Sequence, residues 1–210
     1  FVAIDTAGVR KKKSMDDIDF YSYTRALKSI QRADVVMHLV DATVAVSDVD
    51  VRLARAALDE TKPYVMVINK WDLIEKETQT HIAYREAVLD KTSPFTDIPV
   101  IFTSVTNKQR VLKVLEAANQ VYHNRSKKIP TAKLNEVMLP LITKFGPPMV
   151  RGKRIKIKYI TQLKLAYPAF AFFCNLPDDI RDPYQRYLEN QIRKNFDFSG
   201  VPITLYFRKK

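Results

Sequence analysis

Short unbroken apolar runs alternate with longer segments of helical spacing through the first 127 residues. VAI (2–4), VVMHLV (35–40), YVMVIN (64–69) and PVIFTS (99–104) predict strands buried on both faces, being too short for helices and lacking polar alternation. Between them, Tyr21 to Arg32, Asp48 to Glu60, Thr78 to Leu89 and Lys108 to His123 have helical periodicity. Ser47 or Asp48 is expected to cap the second helix, and Val111, Val114, Leu115 and Ala118 to form the buried stripe of the last. Strands alternating with helices define an α/β domain with a doubly wound, mostly parallel sheet.

The pattern changes after the polar, basic stretch HNRSKKIP (123–130), which is the expected linker; the predicted domains are therefore 1–127 and 128–210. Thr131 is expected to cap a helix with the stripe Leu134, Val137, Met138, Leu141, Ile142 and Phe145, kinked at Pro140. RIKIKYIT (154–161) alternates strictly, with Arg154, Lys156 and Lys158 on one face and Ile155, Ile157 and Tyr159 on the other. A strand AFAFFCN, a helix from Pro183 to Phe196 burying Tyr184, Tyr187, Leu188 and Ile192, and a final strand ITLYFRK complete a small α+β module of order α-β-β-α-β.

Composition narrows the chemistry. The chain of 210 residues is 46% apolar, enough for one or two ordinary cores, and no apolar stretch reaches the roughly 18 residues that cross a bilayer. A soluble, cytoplasmic, monomeric protein with no membrane partner is expected. Cys174 is the only cysteine and sits in an apolar run, where a buried inert thiol is expected; His38, His81 and His123 show no metal-ligand spacing. The net charge of +12 is unevenly divided: residues 1–127 carry +2 and residues 128–210 carry +10. Such an excess on a small module is the electrostatic footprint of RNA binding. Lys153, Arg154, Lys156, Lys158 and Lys164, with Arg208, Lys209 and Lys210 at the end, are the candidate phosphate contacts. Tyr159, Phe170, Phe172, Phe173 and Tyr206 are expected in the core and not as base-stacking platforms.

Two motifs in the first domain point to a nucleotide. Asp5-Thr6-Ala7-Gly8 follows the first predicted strand. Such an Asp can reach a Mg²⁺ shell through water, without direct metal ligation, and Gly8 lets a backbone N–H approach a γ-phosphate, with Val9 adjoining. Asn69-Lys70-Trp71-Asp72 ends the third predicted strand about 60 residues later, and all four are candidate guanine-binding residues. Asp72 can accept hydrogen bonds from guanine N1–H and its exocyclic amine, which adenine cannot donate; Asn69 can tie the loop, and the stem of Lys70 can lie over the base. Ser104 and Val105 end the next strand, where backbone N–H groups can meet guanine O6. Three loops at the carboxyl ends of successive parallel strands are where such a sheet holds its ligand.

DTAGVRKK, YSYTRALKSIQRADVVMHLVDA and NKWD together resemble the second GTPase domain of the bacterial EngA (Der) family of double GTPases. PPMVRGKRIKIKYITQ, PAFAFFCN, YQRYLENQIRKNF and FSGVPITLYFRK are similar to that family's C-terminal KH-like domain, so the likeness covers essentially the whole chain. It implies GTP hydrolysis with Mg²⁺, a monovalent cation as a further cofactor of the longer protein, and a role in assembling the large ribosomal subunit on its rRNA. It also implies a first GTPase domain as a partner in the same polypeptide. The chain departs from the family at Ala45-Val-Ser-Asp-Val-Asp50, where Gly-Ile-Thr-Glu-Gln-Asp is usual, at Asp19, where Glu is usual, and at Val105, where alanine is usual.

A phosphate-cradling GxxxxGK(S/T) loop is missing, since Gly8, Gly146, Gly152 and Gly200 are the only glycines. The chain is therefore expected to be a P-loop-less portion of a GTPase, inactive alone, with a non-enzymatic RNA-binding adaptor as the alternative. No catalytic residue is assigned, because Val9 stands where many GTPases orient water with Gln. Val9 to Asp19 is expected to act as a switch. The turn Leu176 to Ile180 is acidic and no GxxG exists, so backbone and shape recognition of RNA is expected in place of single-strand KH binding.

Overall fold

The structure, a computed structural model, describes residues 2–6, 17–75, 77 and 79–209. Two compact units divide the chain: Phe1–His123 with Ser199–Pro202, and Asn124–Phe198 with Ile203–Lys210.

The first unit contains α1 (Asp17–Arg32), β1 (Val36–Asp41), α2 (Asp48–Asp59), β2 (Tyr64–Asn69), α3 (Thr80–Lys91), β3 (Val100–Phe102) and α4 (Val111–Ser126). The strands pair in parallel in the order β1-β2-β3. Every residue of β2 from Tyr64 to Ile68 is buried, because both faces of the central strand are covered. Tyr64, Met66 and Ile68 pack with Ile30 of α1, Ala54 and Ala57 of α2 and Val88 of α3, whereas Val65 and Val67 pack with Val121 of α4 and with Val201.

Local chemistry fixes the helices. Ser47 caps α2 in a capping box: its hydroxyl accepts from the Asp50 N–H and the Asp50 carboxylate accepts from the Ser47 N–H at 2.7 Å. The other carboxylate oxygen of Asp50 accepts from His38 Nε2 at 3.0 Å, and in that tautomer Nδ1 accepts from the Tyr64 hydroxyl at 2.5 Å. Burial would raise the Asp50 pKa, but the bonds from His38 and Ser47 outweigh it and hold it below the ordinary value. The network locks α2 onto β1 and β2.

Several expectations are corrected. Val2 to Thr6 is unpaired coil, with Val2 93% exposed, so the strand predicted at 2–4 does not form. Three apolar residues recover too little burial and too few ladder bonds to offset their ordering without a paired neighbour. The stripe of α4 is rotated from the predicted one: Ala118 and Val121 are buried and Val114 and Ala117 partly so, while Val111 and Leu115 are exposed. α4 also runs to Ser126, through half of the expected linker.

The second unit contains α5 (Thr131–Lys144), β4 (Ile157–Gln162), β5 (Ala169–Cys174), α6 (Asp182–Phe196) and β6 (Thr204–Lys209). β4 pairs antiparallel with β5, and β5 pairs parallel with β6, which gives the predicted α-β-β-α-β order. Leu134, Met138 and Ile142 of α5 and Tyr184, Leu188, Ile192 and Phe196 of α6 cover one sheet face, formed by Ile160, Phe170, Phe172 and Cys174. Tyr187 is only partly buried and Phe145 is 63% exposed beyond the end of α5. The N-cap of α5 is Pro130, with Thr131 its first residue, so the expected Thr131 cap is not used; Pro140 is accommodated inside a continuous helix. Among the described residues, no helix is long and apolar enough to cross a membrane.

The strict alternation predicted for 154–161 breaks. β4 begins only at Ile157, which pairs with Cys174, and the next pair is Tyr159 with Phe173, a register shift that leaves Lys158 as the extra residue of a bulge. Ile157 packs into the core, but Tyr159 turns to the opposite face and is 43% exposed.

Ser199–Pro202 crosses the start of β2. The Gly200 N–H donates to the Asp97 carbonyl at 2.8 Å, and the Gly200 carbonyl accepts from the Tyr64 N–H at 2.7 Å. Gly200 has φ +72°, and a Cβ there would collide with the Val121 side chain and lie 2.9 Å from both Pro99 Cδ and the Tyr64 carbonyl oxygen. Gly200→Ala is therefore expected to destabilise the protein by roughly 2–5 kcal/mol, combining left-handed strain with overpacking. A thermal-denaturation midpoint within 1–2 °C of wild type, about what a few tenths of a kcal/mol would produce, would contradict this close fit.

Candidate functional site

Parallel register brings three strand ends to one level. Asp41 of β1 lies beside Asn69 of β2, and Thr103 follows β3 with its N–H donating to the Ile68 carbonyl at 2.8 Å. The Asn69 backbone carbonyl accepts from the Ala42 N–H at 2.9 Å, tying the β1 exit to the β2 exit. Its side-chain oxygen accepts from the Thr103 hydroxyl and from the Val105 N–H, each at 3.3 Å, tying the β2 exit to the β3 exit. Asn69 thus braces the loop. The N–H of Val105, expected to face guanine O6, donates instead to Asn69, and the N–H of the buried Ser104 donates to the Gln109 carbonyl at 3.2 Å. Both amides brace the loop in this arrangement.

Lys70 adopts the left-handed conformation, φ 59° and ψ 31°, a strained geometry for a side chain with a Cβ. That turn starts the short 3₁₀ segment Trp71–Leu73. The Lys70 ammonium ends 2.6 Å from Asp41 Oδ2, and Asp41 Oδ1 accepts from the Thr43 N–H and hydroxyl at 2.9 and 2.7 Å. Trp71, proposed from the sequence as a base-contacting residue, is corrected to a core residue. It is 5% exposed and packs on Phe102 at 4.3 Å and Tyr84 at 5.4 Å between ring centroids, with its N–H donating to the Thr103 carbonyl at 3.0 Å. Its burial anchors the segment that presents Asp72. The Asp72 side chain is partly exposed and takes part in no hydrogen bond or ion pair among the described residues.

Asp5 and Thr6 are exposed coil, and no hydrogen bond or ion pair among the described residues joins them to this cluster. Ala7, Gly8 and Val9, and most of the Val9 to Asp19 segment, lie outside the described residues. Asp41 is the site residue the sequence reading missed; its only local signal is a carboxylate closing an otherwise apolar strand.

In the second unit, Arg151 and Gly152 both have positive φ and form a tight turn closed by paired Val150 and Lys153 hydrogen bonds at 3.1 and 2.9 Å. Asn175 holds the following segment at both ends, accepting from the Lys156 N–H at 2.8 Å and donating to the Arg154 carbonyl at 3.0 Å. Lys153, Arg154, Lys156, Lys158, Lys164, Arg208 and Lys209 are exposed; Lys210 lies outside the described residues. Owing to the bulge, Arg154, Lys156 and Lys158 do not form the single straight row expected from the sequence.

Known proteins match this division. Residues 17–124 match the family described as the elongation factor Tu GTP binding domain, and residues 128–208 match the family described as KH-domain-like of EngA bacterial GTPase enzymes, C-terminal. The protein therefore joins a GTPase-type α/β domain to a KH-like domain. The GTPase Der of Amoebophilus asiaticus is 47% identical over 211 residues, covering 100% of this chain and 49% of that protein. That of Porphyromonas gingivalis is 47% identical over 212 residues, covering 100% and 48%. The chain belongs to the GTPase Der (EngA) family and spans about half the length of the curated relatives it matches. Among solved structures, Aquifex aeolicus Era bound to GDP.AlF4- aligns with 98% of this chain and 75% of its own, at 18% identity and a TM-score of 0.46.

The hydrogen bond from Lys70, followed by those from the Thr43 side chain and backbone, lowers the Asp41 pKa from 3.8 to about 2. A carboxyl group depressed on folding stabilises above its unfolded pKa and loses that contribution as pH falls through its folded pKa. The Asp41 contribution is accordingly complete above about pH 5 and lost between about pH 4 and pH 2. Because Lys70 is 54% exposed, screening keeps it within ~1 kcal/mol. Asp41→Asn is expected to flatten the decline in urea midpoint between pH 5 and pH 3, and superimposable pH profiles for variant and wild type would count against the pair.

Proposed function

We propose that the first unit reads the guanine base of GTP or GDP, and that the second contacts rRNA, in a GTPase that assists maturation of the large ribosomal subunit. The observation that carries this reading is Asp72: a partly exposed carboxylate at the carboxyl edge of a parallel sheet, with no hydrogen-bond or ion-pair partner among the described residues, presented by a buried Trp71 and next to a strained, pinned Lys70. Asp72 accepts from guanine N1–H and its exocyclic amine. Lys70, held by Asp41, lays its methylene stem along the base, and Asn69 with the Thr103 to Val105 segment keeps the pocket wall in register. Asp5 would reach Mg²⁺ through water, with Thr6 beside it. GTP supplies the phosphoanhydride bond whose hydrolysis to GDP and phosphate changes what the protein can bind. No side chain is assigned to that chemical step; a monovalent cation and a further GTPase domain of a longer polypeptide complete the working protein.

No GxxxxGK(S/T) occurs in the 210 residues, so these residues alone should hold the base without the phosphates. Isothermal titration of this chain with GTP is expected to show no stoichiometric binding in the micromolar range; such binding would overturn the assignment. In a polypeptide that supplies this loop ahead of Asp5, Asp72→Asn should weaken GTP binding roughly a hundred-fold or more, because two guanine donors lose their acceptor. Unchanged GTP binding by that variant, or no GTP binding by the longer wild type, would favour the adaptor reading instead.

The exposed cations of the second unit support reading the +10 charge of residues 128–210 as a phosphate-contacting surface. Replacing Lys153, Arg154 and Lys156 together by Glu is expected to weaken RNA binding and make the slope of log K against log salt shallower by about 2–3. Identical slopes in a filter-binding titration would remove these residues from the interface.

A further inference from the structure

We propose that the open face of the C-terminal sheet stacks the bases of single-stranded RNA, a proposal that rests on the RNA-binding reading of this unit and gives it a second, chemically distinct surface. α5 and α6 pack on the other face, where Phe170 and Phe172 are fully buried. The pairing register sets Tyr159, Phe173 and Arg208 in one row across β4, β5 and β6, and Thr161, Ala171 and Tyr206 in the next. The expectation that Tyr159, Phe173 and Tyr206 belong to the core with Phe170 and Phe172 is thus corrected: these three point away from it.

The face has the features of a stacking platform. The Tyr159 and Phe173 rings lie 5.8 Å apart at 45°, and Tyr159 is 43% exposed. The hydroxyls of Tyr206 and Tyr167 are 3.1 Å apart, which holds a third ring at the margin. Between the rings the middle strand contributes Ala171, which is itself fully buried, so a base would meet the exposed Tyr159 and the partly exposed Phe173 and Tyr206. Arg208 ends the first row, exposed, with a planar guanidinium that can both stack and pair with phosphate. Neither row contains a carboxylate, while Lys158 at the bulge and Lys164 beyond β4 are exposed cations beside it. Rings that carry hydroxyls, a guanidinium and a cationic rim complement a polyanion with flat π faces better than an aliphatic protein surface.

The bulge makes the platform. With unbroken alternation Tyr159 would follow Ile157 into the core; the extra residue Lys158 turns it out to join Phe173. A device that costs a ladder bond and exposes an aromatic ring needs a reason on the open face, and base stacking supplies one.

The test is fluorescence anisotropy of the 210-residue chain with a labelled 12-nucleotide oligouridylate and, separately, a 12-base-pair RNA duplex. Tyr159→Ala should weaken single-strand binding about ten-fold, the low to middle range for loss of one base–aromatic stack, and leave duplex binding within two-fold. Tyr159→Trp should retain affinity and show quenching on titration, which a merely structural role would not produce. Equal affinity of Tyr159→Ala and wild type for the oligouridylate overturns the proposal, as does an equal loss for single strand and duplex. If Tyr159→Ala instead changes the sedimentation of the RNA-free chain, the face belongs to a protein contact and the proposal also fails. Absence of any RNA binding by the wild type overturns both this proposal and the underlying reading. Binding lost only in the Lys153, Arg154 and Lys156 variant leaves that reading standing and removes the platform.

Discussion

The parallel pairing of β2 with strands on both sides is the constraint on which the candidate site depends. It places Asp41, Asn69 and Thr103 at one level, and the Asn69 side chain and backbone then join the three strand exits. None of these bonds is strong singly, each being worth about 1 kcal/mol net. Their value is positional, because a loop tied at both ends to rigid strands can present a carboxylate without collapsing onto it. The left-handed Lys70 and buried Trp71 follow from the same geometry: the chain must turn sharply at the sheet edge, and the indole pays for the turn by filling the core against Phe102 and Tyr84.

The Asp41–Lys70 pair shows how a structural contact prepares a binding function. An untethered lysine stem samples many rotamers, and fixing it on ligand binding would weaken affinity. Here Asp41 fixes the ammonium beforehand, and Asp41 is itself fixed by Thr43. The stem is thereby ordered before any base arrives.

The second unit applies a different principle. One face of its sheet is closed by two helices, and its exposed cations surround a tight turn and a strand entry stapled by Asn175. A single extra residue in β4 decides which aromatic side chains serve the core and which face outward. Charge and packing are therefore separated in space: Phe170 and Phe172 hold the unit together, while its candidate phosphate-contacting cations lie exposed at the surface.

The sequence by itself determined the element order from α1 onward, the unbroken burial of β2, a cap for α2 at Ser47 or Asp48, the NKWD loop and the concentration of positive charge in the C-terminal module. These are local properties, read from periodicity, capping chemistry and composition within a few residues. Tertiary structure alone decided that Asp41 meets Lys70 across 29 positions, that Trp71 turns inward, and that the triplet at 2–4 stays unpaired. It also set the rotation of the α4 stripe and the outward turn of Tyr159. Each depends on which surfaces and strands the folded chain brings together. A perfect alternation in sequence carries no mark of where a neighbouring strand will force a bulge, and a free carboxylate carries no mark of its lysine until parallel register puts them side by side.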